Sequence, residues 1–297
     1  MTQTLQQFII KQMEVLPEID PAVEFRTRVD FLKDYLKGTG SKGYTLGISG
    51  GQDSALSGYL CQAAVRELRE ETGDSSYKFL ALLLPYGVQK DAKDAVEIAE
   101  DFIEADEIIN FNIKASVDAL REEYNRHLSI PNAGFRAELA DFHRGNVKAR
   151  IRMTTQYAYA GQWNLLVASS DHSSENLVAF FTKSGDGAAD IAPIFGLNKR
   201  QGKQILRYLN VPEFVVTKAP TADLLDSAPQ QTDESELAIS YEAIDDFLEG
   251  KTIDPVDANK LEQRFFALEH KRRVPVTIYD TWVKEYKELG EKATIVL

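Results

Sequence analysis

The stretch YTLGISGGQDSALSGYL, residues 44–60, decides how the rest of the chain is read. It runs apolar residues straight into Ser49-Gly50-Gly51 and then sets Gln52-Asp53-Ser54 at the mouth of a helical pattern. Residues 44–49 form a short continuous apolar run, the pattern of a strand covered on both faces. Ser57, Leu60, Cys61, Ala64 and Leu68 then recur on one helical stripe. Adjacent glycines weaken any regular element, so a turn that keeps two of them needs bare backbone. A strand, a glycine turn and a helix start bring exposed N–H groups and the positive end of the helix dipole to one point, as a phosphate requires. Asp53 is the odd member, because a carboxylate repels phosphates; a Mg2+ ion between the two removes the conflict. The loop is neither the Gly-Lys-Ser/Thr type nor G-x-G-x-x-G. The plainer alternative is a tight turn in which Ser or Asp caps the helix.

Outward from this turn, β-type runs fall at 78–85 (KFLALLLP), 107–113 (EIINFNI) and 164–170 (NLLVASS), with 214–218 (FVVTK) as a short fifth. Helical patterns lie between them at 54–71, 90–104, 114–128 and 146–161. The alternation predicts an α/β fold, a parallel sheet flanked by helices on both faces, with the ligand site at the carboxyl ends of the strands. SYEAIDDFLEG and DANKLEQRFFALEHKRR read as additional C-terminal helices, and residues 1–20 as a helical arm ended by Pro17. Segments 182–198 and 219–233 fit no element and are expected to be active-site loops within a single domain spanning 1–297.

With 297 residues, 43% of them hydrophobic and 27% charged, the chain has the composition of a globular protein with a sizeable core. Its formal net charge of −12 disfavours a bulk grip on nucleic acid or an anionic membrane. Cys61 is the sole cysteine, so no intrachain disulfide can form; it reads as a small core residue. The four histidines show no zinc-type spacing. The first residues are too polar for a secretory leader and FLALLLP is too short to span a bilayer, so the cytoplasm is the expected compartment.

Asp171, His172 and Glu175 follow the fourth strand and should face the same crevice as the glycine turn. Glu175 suits a second metal ligand, while acidic residues in the first turn of a solvated helix are the simpler account of Asp171. His172 reads as a hydrogen-bonded structural residue. In GNVKARIRMTTQYAYAG, an inward stripe of Val147, Ile151, Thr154, Ala158 and Gly161 takes in Arg150 and leaves Lys148 and Arg152 elsewhere. A buried arginine needs an anionic partner, from a structural salt bridge or from a substrate.

The turn resembles the loop of enzymes that split ATP between its α and β phosphates. SGGQDS, GNVKAR, SDHSSENL, FFTKSGDGAADIAP, LNKRQGKQIL, APTADLLDSAPQQTDE, YEAIDDFLEG and EHKRRVP occur in the order and near the spacing found in the NAD synthetase family. The resemblance covers nearly the whole chain beyond the first twenty residues. It implies an adenine nucleotide alpha-hydrolase-like fold and ATP-dependent amidation of deamido-NAD to NAD, with AMP and pyrophosphate released through an adenylated dinucleotide. The ammonia-dependent form is expected, because the length leaves no room for a glutamine-hydrolysing nitrilase-like domain and Cys61 is accounted for by packing. That form implies a homodimer.

On the same resemblance, Gly47, Ile48, Ser49, Gly50, Gly51, Gln52, Asp53 and Ser54 bind ATP together with Ser170, Lys199 and Thr221. Asp53 and Glu175 bind Mg2+. Arg150, Lys183, Asp190, His270 and Lys271 contact the dinucleotide, and Asp186 engages ammonia. From the residues themselves, Phe180 and Phe181 are candidates for the nicotinate wall, although adjacent helical phenylalanines more often belong to a core. Two positions depart from the family pattern: Ser170 stands where Thr is usual, and Ser184 where an aromatic residue is. The alternatives are another adenylating enzyme with the same loop, forming GMP, argininosuccinate or thiolated tRNA, and a nucleotide-sensing module without turnover.

Overall fold

β1 (Gly43–Gly47), β2 (Lys78–Leu83), β3 (Glu107–Asn110) and β4 (Leu166–Val167) form a parallel sheet in the order β3-β2-β1-β4. The computed structural model describes residues 4–89, 92–126, 138–218, 232–273 and 275–287. α1 (Leu5–Met13) and α2 (Pro21–Thr39) precede the sheet, and α3 (Gln52–Thr72) joins β1 to β2. α4 (Ala92–Glu97) and a π-helical turn, Ile98–Phe102, lead to β3; α5 (Lys114–Arg126) and α6 (Asp141–Trp163) lead on to β4. Beyond β4 lie α7 (Ser173–Leu177), α8 (Lys199–Tyr208), α9 (Glu213–Thr217), α10 (Asp233–Leu237), α11 (Tyr241–Leu248), α12 (Pro255–Ala267) and α13 (Glu269–Arg272).

The strand order matters for function. From β1 the chain moves outward through β2 and β3, then returns to pair β4 with the other side of β1. The connections leave β1 in opposite directions, so a crevice opens beyond the carboxyl ends of β1 and β4.

Alternation along β2 sorts its side chains between two cores. Phe79, Ala81 and Leu83 pack with α2, α3 and α8, while Leu80, Leu82 and Leu84 pack with Val117 and Ala160 on the opposite face. A third core joins Ile9 and Met13 of α1 to Leu177, Phe247 and Phe265, so the N-terminal arm is stitched to the C-terminal helices. The arm starts at Thr4, which forms a capping box with Gln7, and Asp20 caps α2 just ahead of Pro21. The long α2 went unmarked in the sequence reading.

The segment FVVTK is not a strand. Residues 213–217 form α9, which starts behind Pro212 and buries Val215 and Val216 in the first core. Proline presets a helix start, and tertiary burial overrides the β-propensity of the two valines. The expected helix at 90–104 is α4 continued by the π-helical turn, with residues 90 and 91 outside the described set.

The stripe on α6 is also rotated from expectation. Its buried residues are Gly145, Lys148, Ala149, Thr155, Gln156 and Ala160; of the expected stripe, Val147 and Ile151 are half-buried against the Leu80 and Leu82 core, whereas Arg150, Thr154, Ala158 and Gly161 are exposed. Lys148 turns inward because its ammonium sits 4.4 Å from the centre of the Tyr86 ring, which offsets desolvation.

Candidate active site

The crevice between β1 and β4 holds a cavity of about 300 Å3. Its floor is the turn after β1. Gly50 has a φ of +82°, which a side chain rarely tolerates, and a Cβ there would meet backbone atoms of Ala95 at 3.0 and 3.3 Å. The turn braces itself: Ser49 N–H donates to Ser54 Oγ (3.2 Å) and Gly51 N–H to Ser49 Oγ (3.3 Å). Gly47 N–H donates to Gln156 Oε1 of α6 (2.9 Å). Ile48 is buried in the first core, and Gln52 turns its amide away to the carbonyls of Val216 and Lys218. α3 starts at the turn with Gly51 as N-cap and Asp53 in its first turn, so the positive end of its dipole faces the cavity.

Opposite the turn, β4 ends and the chain brings Ser170, Asp171 and Glu175 to the cavity wall. Lys199, the first residue of α8, reaches in from a third direction. It is 4% exposed, and its ammonium lies 2.7 Å from Asp53 Oδ2 and 5.3 Å from the centre of the Tyr241 ring. Lys199 is thus a buried, ion-paired lysine rather than a solvated one. Asn198 caps α8 in a capping box with Gln201, and Asp245 accepts from the N–H groups of Lys199 and Arg200, so the base of this lysine is firmly held.

The cavity carries opposed charges. Asp53, Asp171, Glu175, Asp186 and Asp233 line it, along with Arg152, Lys199 and Lys218. Burial alone would raise the Asp53 carboxyl, but Lys199 and His172 outweigh it and hold the group below the ordinary carboxylate range. At Asp171 the pull of His172 is too weak to prevail. Burial, then repulsion from Glu175 and Asp186, pushes it up to about 7. Burial and Glu175 push Asp233 up to about 6 against the pull of Lys199. Asp186 lines the cavity and is exposed to solvent, yet the protein crowded around it raises its carboxyl, and Arg152 opposes this.

His172 departs from expectation. It is 2% exposed, yet neither ring nitrogen makes a hydrogen bond; Nε2 instead sits between Glu175 Oε1 (3.3 Å) and Asp53 Oδ1 (3.7 Å). One ligand atom each from Asp53, His172 and Glu175 lies within 4.8 Å of the other two. Oxygen donors from Asp53 and Glu175 are what Mg2+ prefers, so the residues present fit that ion.

The residues expected to bind the dinucleotide gather on one rim. Arg150 donates to the Lys183 carbonyl (3.1 Å), Lys183 Nζ donates to the His270 carbonyl (2.5 Å), and Lys271 Nζ donates to the Ala179 carbonyl (2.6 Å). Lys271 also sits 4.9 Å from the centre of the Phe181 ring, and Phe180 and Phe181 both line the cavity. Asp190 stands apart, accepting from Val167 N–H (2.8 Å) and Tyr157 Oη–H (3.3 Å). Ser184 is exposed with a φ of +57°. Thr221, and with it residues 219–231 of the second expected loop, lies outside the described residues.

A sequence profile of the NAD synthase family matches residues 24–275. The chain belongs to the NAD synthase family. Within it, the NH(3)-dependent NAD(+) synthetase of Bacillus thuringiensis (strain Al Hakam) is 52% identical over 281 residues, spanning 95% of this chain and all of the relative. A crystal structure of NAD+ synthetase from Burkholderia pseudomallei superposes with a TM-score of 0.76 at 38% identity, over 93% of this chain and 99% of that one. NMN synthetase from Francisella tularensis gives 0.74 at 31% identity, over 89% of this chain and all of that one. The parallel sheet with flanking helices is thus shared with solved NAD synthases.

Within this NAD synthase fold, several cavity groups escaped the sequence reading. Arg152 was placed off the inward face, yet it lines the cavity and donates to the Leu84 carbonyl (3.1 Å). Lys218 lies 3.4 Å from the Gly50 carbonyl and 2.9 Å from Asp94 Oδ2. Tyr241 Oη–H reaches Asp233 Oδ2 (3.1 Å) and lies 3.4 Å from Glu175 Oε1. Lys218 and Asp233 flank the segment 219–231, and that position was the signal available in the sequence.

Proposed function

We propose that the chain is an ammonia-dependent NAD synthetase: it adenylates deamido-NAD with ATP and displaces AMP with ammonia to give NAD. The observation that carries this is the cavity at the β1–β4 crevice, where a strained glycine turn, a buried lysine and two facing carboxylates converge. The turn from Gly47 to Ser54 cradles the triphosphate with Lys199, Ser170 and Thr221. Asp53 and Glu175 would hold Mg2+, which when bound neutralises charge on the leaving pyrophosphate. The rim of Arg150, Lys183, His270 and Lys271, with Asp190, binds the dinucleotide and points its nicotinate carboxylate toward the α-phosphate. A carboxylate does not accept ammonia until it carries a good leaving group, and adenylation supplies one.

Ammonium predominates over ammonia at neutral pH. Asp186 binds it and accepts its proton, a role suited to a carboxyl whose affinity for protons is already raised. The whole chain acts as one catalytic unit. It pairs as a homodimer, a state supported by exposed Leu120 and Tyr124 on α5 and Phe142 and Tyr157 on α6. The unpaired, buried Cys61 suits a reducing compartment such as the cytoplasm. Among the described residues no helix is long and apolar enough to cross a membrane.

The test is incubation with ATP, Mg2+, deamido-NAD and ammonium, followed by assay of AMP and NAD. Nicotinate mononucleotide in place of the dinucleotide is the control raised by the NMN synthetase relative, and it should turn over poorly. Absence of AMP with deamido-NAD would rule the reading out. Asp186→Asn should alter the pH profile of ammonia-dependent turnover; an unchanged profile would remove Asp186 from the proton transfer.

A further inference from the structure

We propose that His172 is the third ligand of the divalent-cation site, a nitrogen donor that lets Asp53 and Glu175 hold a first-row cation such as Mn2+. The inference rests on the placement of a cation at those two carboxylates in the preceding reading. Buried polar groups almost always find a partner, and a buried imidazole whose one engaged nitrogen faces two carboxylates needs a reason. His172 is 2% exposed, Nδ1 has no hydrogen bond, and Nε2 has only the carboxylates of Glu175 and Asp53 beside it, at ion-pair distance.

The geometry around Nε2 supplies the reason. Glu175 Oε1 at 3.3 Å and Asp53 Oδ1 at 3.7 Å flank it. Ligand atoms held at about 2.1 Å by one ion lie roughly 3 to 4 Å from each other, the range seen here. Asp53 divides its oxygens: Oδ2 accepts from Lys199 at 2.7 Å, which leaves Oδ1 turned toward His172. Glu175 Oε1 is steadied by Tyr241 Oη at 3.4 Å. His172 is the N-cap residue of α7, and its carbonyl accepts from Asn176 N–H (3.0 Å), so its backbone is fixed at the head of that helix. Lys199 therefore sits beside the cation position rather than in it.

Carboxylates alone favour Mg2+, whereas imidazole adds affinity for transition metals. The full-length protein loaded with Mn2+ and ATP, without deamido-NAD, gives an electron spin echo spectrum in which a bound imidazole nitrogen is visible. The expected result is 14N modulation that converts to the 15N pattern in protein labelled with [15N]histidine. The label separates histidine from adenine nitrogens, and His143 and His270 are exposed and outside the cavity lining. His172→Gln should abolish that modulation and weaken Mn2+ binding at least about tenfold, the loss typical of a disturbed metal shell, with a smaller effect on Mg2+. An all-oxygen spectrum, or no bound Mn2+, overturns the proposal. Should the His172 variant not fold, the same 15N pattern in labelled His127→Gln protein, which keeps His172, supports the assignment, and its loss there overturns it. Because the spectrum is read without turnover, failure here leaves the amidation reading standing.

Discussion

Replacing Gly50 by Ala puts a methyl group on a backbone whose φ is +82°, 3.0 Å from Ala95 N and 3.3 Å from Ala95 Cα. The left-handed region costs an ordinary residue about 1–2 kcal/mol. The crowded neighbour is backbone rather than the tip of a mobile side chain, and overpacking of that kind adds about 1–3 kcal/mol. A loss near 3 kcal/mol lowers the melting temperature by about 6–12 °C at roughly 2–4 °C per kcal/mol. Gly51→Ala differs in kind. Gly51 has a φ of −93°, and its Cβ would meet only Ser49 Oγ at 3.3 Å, a hydroxyl that can turn away. Its stability cost should stay below about 1 kcal/mol, the scale of a helix-cap change. But Gly51 lines the cavity, so on the proposed ATP-binding role the added methyl would stand where phosphate oxygens approach. We expect its KM for ATP to rise about tenfold or more, equivalent to about 1.4 kcal/mol of binding. Calorimetry and AMP release at varied ATP measure both variants. A Gly50→Ala protein as stable as wild type would refute the backbone account, and an unchanged ATP KM in Gly51→Ala would refute the phosphate account.

Lys199→Met removes the ammonium 2.7 Å from Asp53 and strands a carboxylate among other acids, at a cost of about 3 kcal/mol. Calorimetry should show that most of this loss is recovered in the double variant with Asp53→Asn. In the ligand-free protein, Asp171 at about 7 and Asp233 at about 6 hold protons that the unfolded chain, near the ordinary carboxylate value, has lost. Their contribution to stability is therefore full below about pH 4 and is lost as pH rises through about 6 and then about 7, by up to about 1.4 kcal/mol per unit for each group. The difference in melting temperature between wild type and Asp171→Asn, followed from pH 5 to 8, isolates the Asp171 part; a difference that does not change with pH contradicts it. Cys61 is buried and its thiol is pushed up by burial, so thiol reagents should label it only at the rate of unfolding. Labelling of the native protein within mixing time would contradict the packing.

β1 and β2 were legible because a strand covered on both faces is a continuous apolar run, whereas β3 is an edge strand with Glu107 and Asn110 exposed and was marked only by its Ile108-Ile109 pair. β4 was anticipated at 164–170 but keeps only Leu166–Val167 as strand, since the Asp190 carboxylate and the Ala168–Ile191 bridge take over bonding along its edge. FVVTK misled because two β-branched residues carry a strong local signal, and only tertiary burial reverses it. On α6 the stripe was drawn through apolar positions, whereas the true inward face contains Lys148 and Gln156, made acceptable by the Tyr86 ring and the Gly47 N–H. Asp53 and Glu175 could be found because each follows a strand end. Tyr241 could not, since it reaches Glu175 from 66 residues away and no local pattern reports such a meeting.

The two walls of the crevice are far apart in translation order. Ser57 Oγ donates to the Ser169 carbonyl (2.6 Å) across 112 residues, and Gln52 Nε2 donates to the Val216 carbonyl (2.9 Å) across 164. The ribosome releases the glycine turn long before the wall across the crevice, and closing such long loops is slow. A nascent chain stopped after β3 therefore carries the glycine turn with Ala95 behind it but with neither Ser169 nor Val216 to close the crevice.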